Sequence, residues 1–99
     1  MNIAIVGGGV AGLTAAYELS KRQHKVILYE AAPSLGGQAA TFEVEGARLE
    51  RFYHHLFMAD LDMISLVEEI GIKSKMLWIQ PKMGLFHAGQ VYELSLIHI

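Results

Sequence analysis

The 99-residue sequence contains no cysteine and only two prolines. Without cysteine the chain has no disulfide, no thiolate metal site and no thiol nucleophile, and its composition leaves the redox compartment open. Positive charge is not in excess either, since 8 Lys and Arg stand against 10 Asp and Glu, for a formal net charge of −2. A surface that binds nucleic-acid phosphates normally needs a basic excess. We therefore expect no nucleic-acid partner.

The sequence also lacks a long apolar run. Its first apolar segment, Ile3–Val6, follows no basic residues and ends at three consecutive glycines, so it is too short for a signal peptide or a transmembrane helix. The expected location is cytoplasmic, and peripheral contact with a membrane is left open. Hydrophobic residues still make up 53% of the chain and charged residues 18%. This composition favours a folded domain over a disordered tail.

The first 30 residues combine two apolar segments with a helical pattern. Ile3–Val6 and Val26–Tyr29 are short and rich in branched residues, which is typical of strands buried on both faces of a parallel sheet. Small and apolar residues at helical spacing predict a helix from Val10 to about Arg22. Strand, helix and strand within about 30 residues predict a βαβ unit. The fold class is therefore predicted to be α/β, with a Rossmann-like unit at the N-terminus.

A G-x-G-x-x-G pattern, formed by Gly7, Gly9 and Gly12, lies where the first strand meets the helix. In this context the first glycine permits a tight turn, the second lets a pyrophosphate approach the backbone, and the third allows close packing of helix on strand. The first helical turn, which includes Val10 and Ala11, offers free N–H groups and the positive end of the helix dipole to a phosphate. The pattern predicts an adenine dinucleotide here, either NAD or FAD, rather than a glycine-rich turn that binds nothing.

Glu30 ends the second strand, 18 residues after Gly12. A carboxylate at this place is predicted to accept hydrogen bonds from the adenosine ribose and to repel a 2′-phosphate. A diglycine, Gly36-Gly37, follows six residues after Glu30 and is succeeded by Gln38.

With these motifs the chain resembles FAD-dependent oxidoreductases of the amine oxidase, phytoene desaturase and protoporphyrinogen oxidase superfamily. The resemblance covers residues 2 to about 57 and extends more loosely to about 93. In such proteins the segment after the ribose acid runs toward the pyrophosphate and ribityl chain, and it usually carries arginine where this chain has Gln38. The resemblance implies FAD as the cofactor. The residues that it adds to the glycine motif and Glu30 are Ala31, Gly36, Gly37 and Gln38.

The resemblance also implies a reaction, hydride transfer from a small-molecule substrate to the flavin. Catalytic residues are not assigned, because in the superfamily they mostly lie beyond residue 93, and the chain by itself is expected to be inactive. Two alternatives stay open. One is an NAD-binding dehydrogenase domain, which would need a further helix soon after Glu30. The other is a flavin-dependent isomerase similar to UDP-galactopyranose mutase. The sequence leaves the oligomeric state open.

Residues 1–93 are predicted to be the N-terminal part of an FAD/NAD(P)-binding domain, which is incomplete because two parallel strands do not make a doubly wound sheet. Residues 94–99 look like the translated end of a transposon used to prepare sequencing libraries, and we exclude them from the fold. The alternative is that Tyr92–Leu96 forms a strand.

The rest of the chain carries turn and helix signals. Turn dipeptides predict two hairpins, and Asp60 and Gly71 are expected to begin and end a helix. His54 and His55 are predicted either to line the flavin or substrate cavity or to be structural; no third ligand has metal spacing, so no metal site is expected. The predicted elements are a loop at 31–40, hairpins around Glu45-Gly46 and Ala88-Gly89, a helix at 61–70 and a strand at 76–79.

Overall fold

The computed structural model of the protein describes residues 1–52, 56–79 and 81–94. The chain separates into two compact units, residues 1–56 and residues 57–99. The predicted roles of His54 and His55 lie outside the described residues, as do residues 95–99 of the predicted non-native tail.

The first unit opens with a βαβ arrangement. Strand β1 spans Asn2–Val6, helix α1 spans Val10–Lys21, and strand β2 spans Lys25–Tyr29. The two strands pair in parallel, with Ile3 opposite Val26, and α1 packs against both strands. The α/β fold class and its N-terminal βαβ unit are therefore confirmed; both strands begin one residue earlier than the sequence predicted and end at the predicted residues.

Helix α1 ends in a left-handed residue that is not glycine. Gln23 has a φ of 62°, and the N–H groups of Gln23 and His24 donate to the carbonyl oxygens of Ser20 and Leu19. These two bonds form a Schellman motif, which satisfies the last carbonyls of the helix and turns the chain sharply. The turn allows β2 to begin at Lys25 and to return alongside β1.

The two predicted hairpins are confirmed. In the first unit, β3 (Thr41–Val44) pairs antiparallel with β4 (Ala47–Glu50) around the predicted Glu45-Gly46 turn. In the second unit, β5 (Met83–His87) pairs with β6 (Gln90–Leu94). Both central residues of each turn have positive φ, as tight hairpin turns require.

Helix α2 of the second unit spans Leu61–Glu69, one residue shorter than predicted. Gly71 ends it as expected: with a φ of 79°, it donates its N–H to the carbonyl of Glu68, while Ile72 donates to Val67. The prediction for Asp60 was only partly right. Asp60 occupies the N-cap position but gives no side-chain cap, because its carboxylate instead accepts the N–H of Phe57, outside the helix, at 2.8 Å.

The strand predicted at 76–79 is wrong. These residues follow a short 3-10 turn, Lys73–Lys75, and have no regular structure. An apolar run becomes a strand only where another strand offers its hydrogen-bonding edge. In the described part of the second unit, β5 and β6 pair with each other.

Burial is low throughout the described residues. Gly8 alone among them is buried, whereas the apolar residues of the strands stay partly or fully exposed, up to 88% for Val6. No helix among the described residues is long and apolar enough to cross a membrane.

Candidate functional site

Two glycine loops from different parts of the first unit meet at the start of α1. The N–H of Gly36 donates to the carbonyl oxygen of Gly8 at 2.8 Å, and Gly9 forms a parallel bridge with Gly36. Gly36 and Gly37 have φ angles of 116° and 57°, which are left-handed values that glycine adopts readily. The structure thus brings the G-x-G-x-x-G loop and the diglycine together, although they are separated by the whole of α1 and β2.

Gly7 and Gly12 shape the glycine-rich loop. Gly7 has a φ of 102°, which allows a tight turn. Its N–H donates to the Tyr29 carbonyl oxygen at 2.8 Å, so the turn remains hydrogen-bonded to the end of β2. A methyl group on Gly12 would overlap the carbonyl oxygen of Gly7 and contact the Ile5 side chain at 3.5 Å. Gly12 therefore permits the close approach of α1 to the strand–helix junction, and its place in the site is structural.

Gly9 is different, because the protein itself does not require glycine there. Its φ of −76° and ψ of −179° are ordinary extended values. Among the residues that the structure describes, a methyl group on Gly9 would meet only the Gly37 Cα within 4 Å, at 3.9 Å. These residues therefore leave space beside Gly9, at the N-terminal end of a helix for which they provide no side-chain cap. A helix N-terminus with unused N–H groups and an open approach fits a phosphate.

A cavity of about 390 Å³ lies at this end of α1. None of the described residues that line it is charged, so the described groups that could hold a phosphate there are backbone N–H groups and the Gln38 amide. Sequence reasoning missed two lining residues, Ala39 and Phe52. Phe52 could have been predicted, because it follows β4 and lies in the stretch where the superfamily places residues beside the flavin. The lining residues are Gly9, Val10, Ala11, Gly36, Gln38, Ala39 and Phe52.

Glu30 lies outside the lining of that cavity and contacts the backbone of the glycine-rich loop. Its Oε2 accepts the N–H of Gly8 at 2.6 Å, and its Oε1 accepts the N–H of Ala32 at 2.8 Å. A carboxylate offers about four lone-pair positions, so roughly two remain for other donors such as ribose hydroxyls. Ala31 follows Glu30 in an exposed bend and is likewise outside the cavity lining.

These contacts lower the pKa of Glu30 below its ordinary value of 4.5. The N–H of Ala32 contributes most, followed by that of Gly8, while desolvation opposes the shift. Because the pKa is lower in the folded chain, the stability contributed by the ionised carboxylate is present above about pH 4.5. It is lost as the pH falls through the lowered pKa.

We expect a carbon-13 NMR titration of the Glu30 carboxyl to show a midpoint below 4.5, the ordinary value. The two N–H donors favour the ionised form, so protonation requires more acid than in an unfolded chain. The spectrum of Glu30→Gln identifies the signal by its disappearance. A midpoint at or above the ordinary value would contradict the hydrogen-bonded geometry.

Among the described residues, no group of three or more His, Cys, Asp or Glu is placed to hold a metal ion.

Comparison with known proteins identifies the family. Residues 5–70 match the family model of the NAD(P)-binding Rossmann-like domain. The chain belongs to this family. The matched residues include the whole of α1 and β2, both glycine loops and α2.

Relatives of this Rossmann-like chain include carotenoid desaturases. The chain is 35% identical over 77 residues to the zeta-carotene desaturase of Synechocystis sp., covering 77% of this chain and 16% of the relative. It is 37% identical over 79 residues to the 15-cis-phytoene desaturase of Synechococcus elongatus, covering 79% of this chain and 17% of the relative. The chain therefore spans about a sixth of the length of these relatives.

A solved structure shows the same relationship. A triple mutant of putrescine oxidase with redesigned cofactor binding superimposes with a TM-score of 0.68 at 27% identity, over 95% of this chain and 21% of that chain. Together with the desaturases, it confirms the predicted resemblance to the amine oxidase and phytoene desaturase superfamily. These relatives are oxidoreductases by name.

Proposed function

We propose that this chain binds FAD and serves as the N-terminal part of a flavin-dependent oxidoreductase. The observation that carries the proposal is the space beside Gly9, where the Gly37 Cα, at 3.9 Å, is the one described atom within 4 Å of an added methyl group. Nothing in the described part of the protein explains a glycine at this ordinary backbone conformation. A ligand that presses against the backbone does explain it.

Different residues contact different parts of the ligand. N–H groups at the start of α1, from Val10 and Ala11 onward, face the pyrophosphate, with Gln38 as an additional amide donor beside it. Glu30 retains lone pairs for the adenosine ribose, and the meeting of Gly9 with Gly36 and Gly37 brings the diglycine beside the phosphates. The lining residues that the structure describes carry no positive side chain, so among these residues the dipole and N–H groups of α1 supply the attraction for the anion.

Bound FAD would accept a hydride from a carbon–hydrogen bond of a small-molecule substrate. The described residues bind and orient the adenine half and the pyrophosphate. By analogy with the named relatives, the donor carbon lies either next to nitrogen, as in an amine, or within a carbon skeleton, as in a carotenoid. We assign substrate contacts and acid–base groups to chain beyond residue 93.

Two observations support a longer protein. The chain spans 16% of the zeta-carotene desaturase that it matches, and the apolar residues of the β1–β2 sheet are half-exposed or exposed. We therefore propose that residues 1–93 are the N-terminal part of a cofactor-binding domain and that residues 94–99 are a non-native tail. Leu94 pairs with Met83 in β6, so a native leucine at that position also fits the hairpin.

A nicotinamide cofactor is the second candidate, because the matched family is described as NAD(P)-binding. The segment after β2 argues for FAD. A mononucleotide-binding half of an NAD domain continues into a further helix, whereas here a 3-10 turn and the β3–β4 hairpin follow.

The absorption spectrum of the purified complete gene product separates the two candidates. We expect the visible bands of oxidised flavin, with one flavin released per chain on denaturation. Release of a nicotinamide dinucleotide without flavin would replace the proposal by the second candidate.

A further inference from the structure

The Gly8 peptide is the most enclosed part of the described chain. Gly8 is the one buried residue among the described residues. Its N–H donates to Oε2 of Glu30 at 2.6 Å, and its carbonyl oxygen accepts the N–H of Gly36 at 2.8 Å. Both polar groups of the residue are therefore fixed by segments that follow β2.

Side chains close over the same residue. A methyl group on Gly8 would lie 2.5 Å from Cδ2 of Leu35 and 3.0 Å from Oε2 of Glu30. A side chain at Gly8, the position that the G-x-G-x-x-G pattern leaves free, would therefore require the exposed end of Leu35 to move and would press on the Glu30 carboxylate.

The orientation of Gly8 sets that of its neighbour. Gly9 caps α1 with an extended backbone and accepts the first helical hydrogen bond, from Leu13 at 2.9 Å. If the Gly8 carbonyl or N–H rotated away, Gly9 and the N–H groups of the first turn would turn with it. Holding Gly8 therefore holds the anion-binding end of the helix in place.

We propose that Glu30 is a positioning residue as well as a ribose ligand: with the Gly36 N–H, its carboxylate fixes the Gly8 peptide so that the phosphate-binding loop is formed before the cofactor arrives. The inference rests on the proposed function. It differs from ribose binding, because the lone pairs that hold Gly8 and Ala32 are not those left for hydroxyl groups. A site formed in advance avoids the entropic cost of ordering the loop on binding.

The test is the affinity of the flavin-free complete gene product for two ligands, ADP and 2′,3′-dideoxy-ADP, measured by calorimetry. In Glu30→Gln the amide oxygen can accept only one of the two backbone N–H groups well. The amide NH₂ group faces the other N–H and cannot accept it, because both groups are donors. We expect the variant to bind dideoxy-ADP roughly tenfold more weakly and to lose still more affinity for ADP, which also loses its ribose contact with the carboxylate. If Glu30 only binds ribose, the variant weakens ADP binding and leaves dideoxy-ADP binding unchanged, and this result would overturn the inference.

Hydrogen–deuterium exchange without ligand provides the second measurement. We expect the Gly7 and Gly8 amides, which donate to Tyr29 and Glu30, to be protected in the wild-type protein and to exchange faster in Glu30→Gln. Glu18→Gln is the matched control, since the Glu18 side chain on α1 is 40% exposed and pairs with Lys21; its exchange and affinities should equal those of the wild type.

If Glu30→Gln fails to fold, hydrogen–deuterium exchange of the wild-type protein still tests the inference. Rapid exchange at the Gly8 amide in the wild-type protein would overturn the inference while leaving the proposed function intact. Failure of the wild-type protein to bind ADP would overturn both.

Discussion

Replacing Gly12 by alanine is expected to abolish the folded first unit. The added methyl group would overlap the Gly7 carbonyl oxygen and lie 3.1 Å from the Gly7 carbonyl carbon. These are backbone atoms, which cannot move aside as a flexible side chain can. Relief requires α1 to shift away from the strands, and we expect a loss of about 3 kcal/mol or more in the free energy of unfolding.

Denaturant unfolding of the complete gene product, together with its soluble yield, measures this effect. The matched control is Gly9→Ala, which adds the same methyl group three residues earlier, where the nearest atom is the Gly37 Cα at 3.9 Å. We expect the control to change the unfolding free energy by no more than about 1 kcal/mol. If Gly12→Ala unfolds like the control, α1 does not pack as closely as the structure shows.

The second large effect concerns the same Gly9→Ala variant, which should keep its fold and lose its cofactor. Its methyl group occupies the space that we assign to the pyrophosphate, so bound ligand must move away from the N–H groups of the first turn. We expect FAD affinity to fall roughly a hundredfold.

The ratio of flavin absorbance to protein absorbance in purified Gly9→Ala measures this loss, and titration of the flavin-free protein with FAD gives the affinity. Ala16→Ser, on the helix and away from the loop, serves as the control and should retain flavin. Wild-type flavin content in Gly9→Ala would show that the phosphates do not approach the Gly9 backbone.

The local structure follows from short stretches of neighbouring residues. The branched segments before and after α1, the glycines at the strand–helix junction and the two turn dipeptides each impose a conformation on a few neighbouring residues. The βαβ unit and both hairpins therefore appear where the pattern predicted them. The same local signals failed where a partner elsewhere decides the structure. Residues 76–79 are apolar but have no strand to pair with among the described residues, and the Asp60 carboxylate bonds to Phe57 rather than to α2.

The sequence also placed the glycine motif and the acid at the ends of the strands, but it left their mutual contacts undetermined. The folded chain alone shows that Glu30 accepts the Gly8 N–H and that Gly36 donates to the Gly8 carbonyl oxygen. It likewise separated Gly12, which the packing requires, from Gly9, which the protein leaves open. The physical reason is that a hydrogen bond between residues 22 positions apart, such as Gly8 and Glu30, depends on how the chain returns through space. Periodicity and propensity describe only neighbours along the chain.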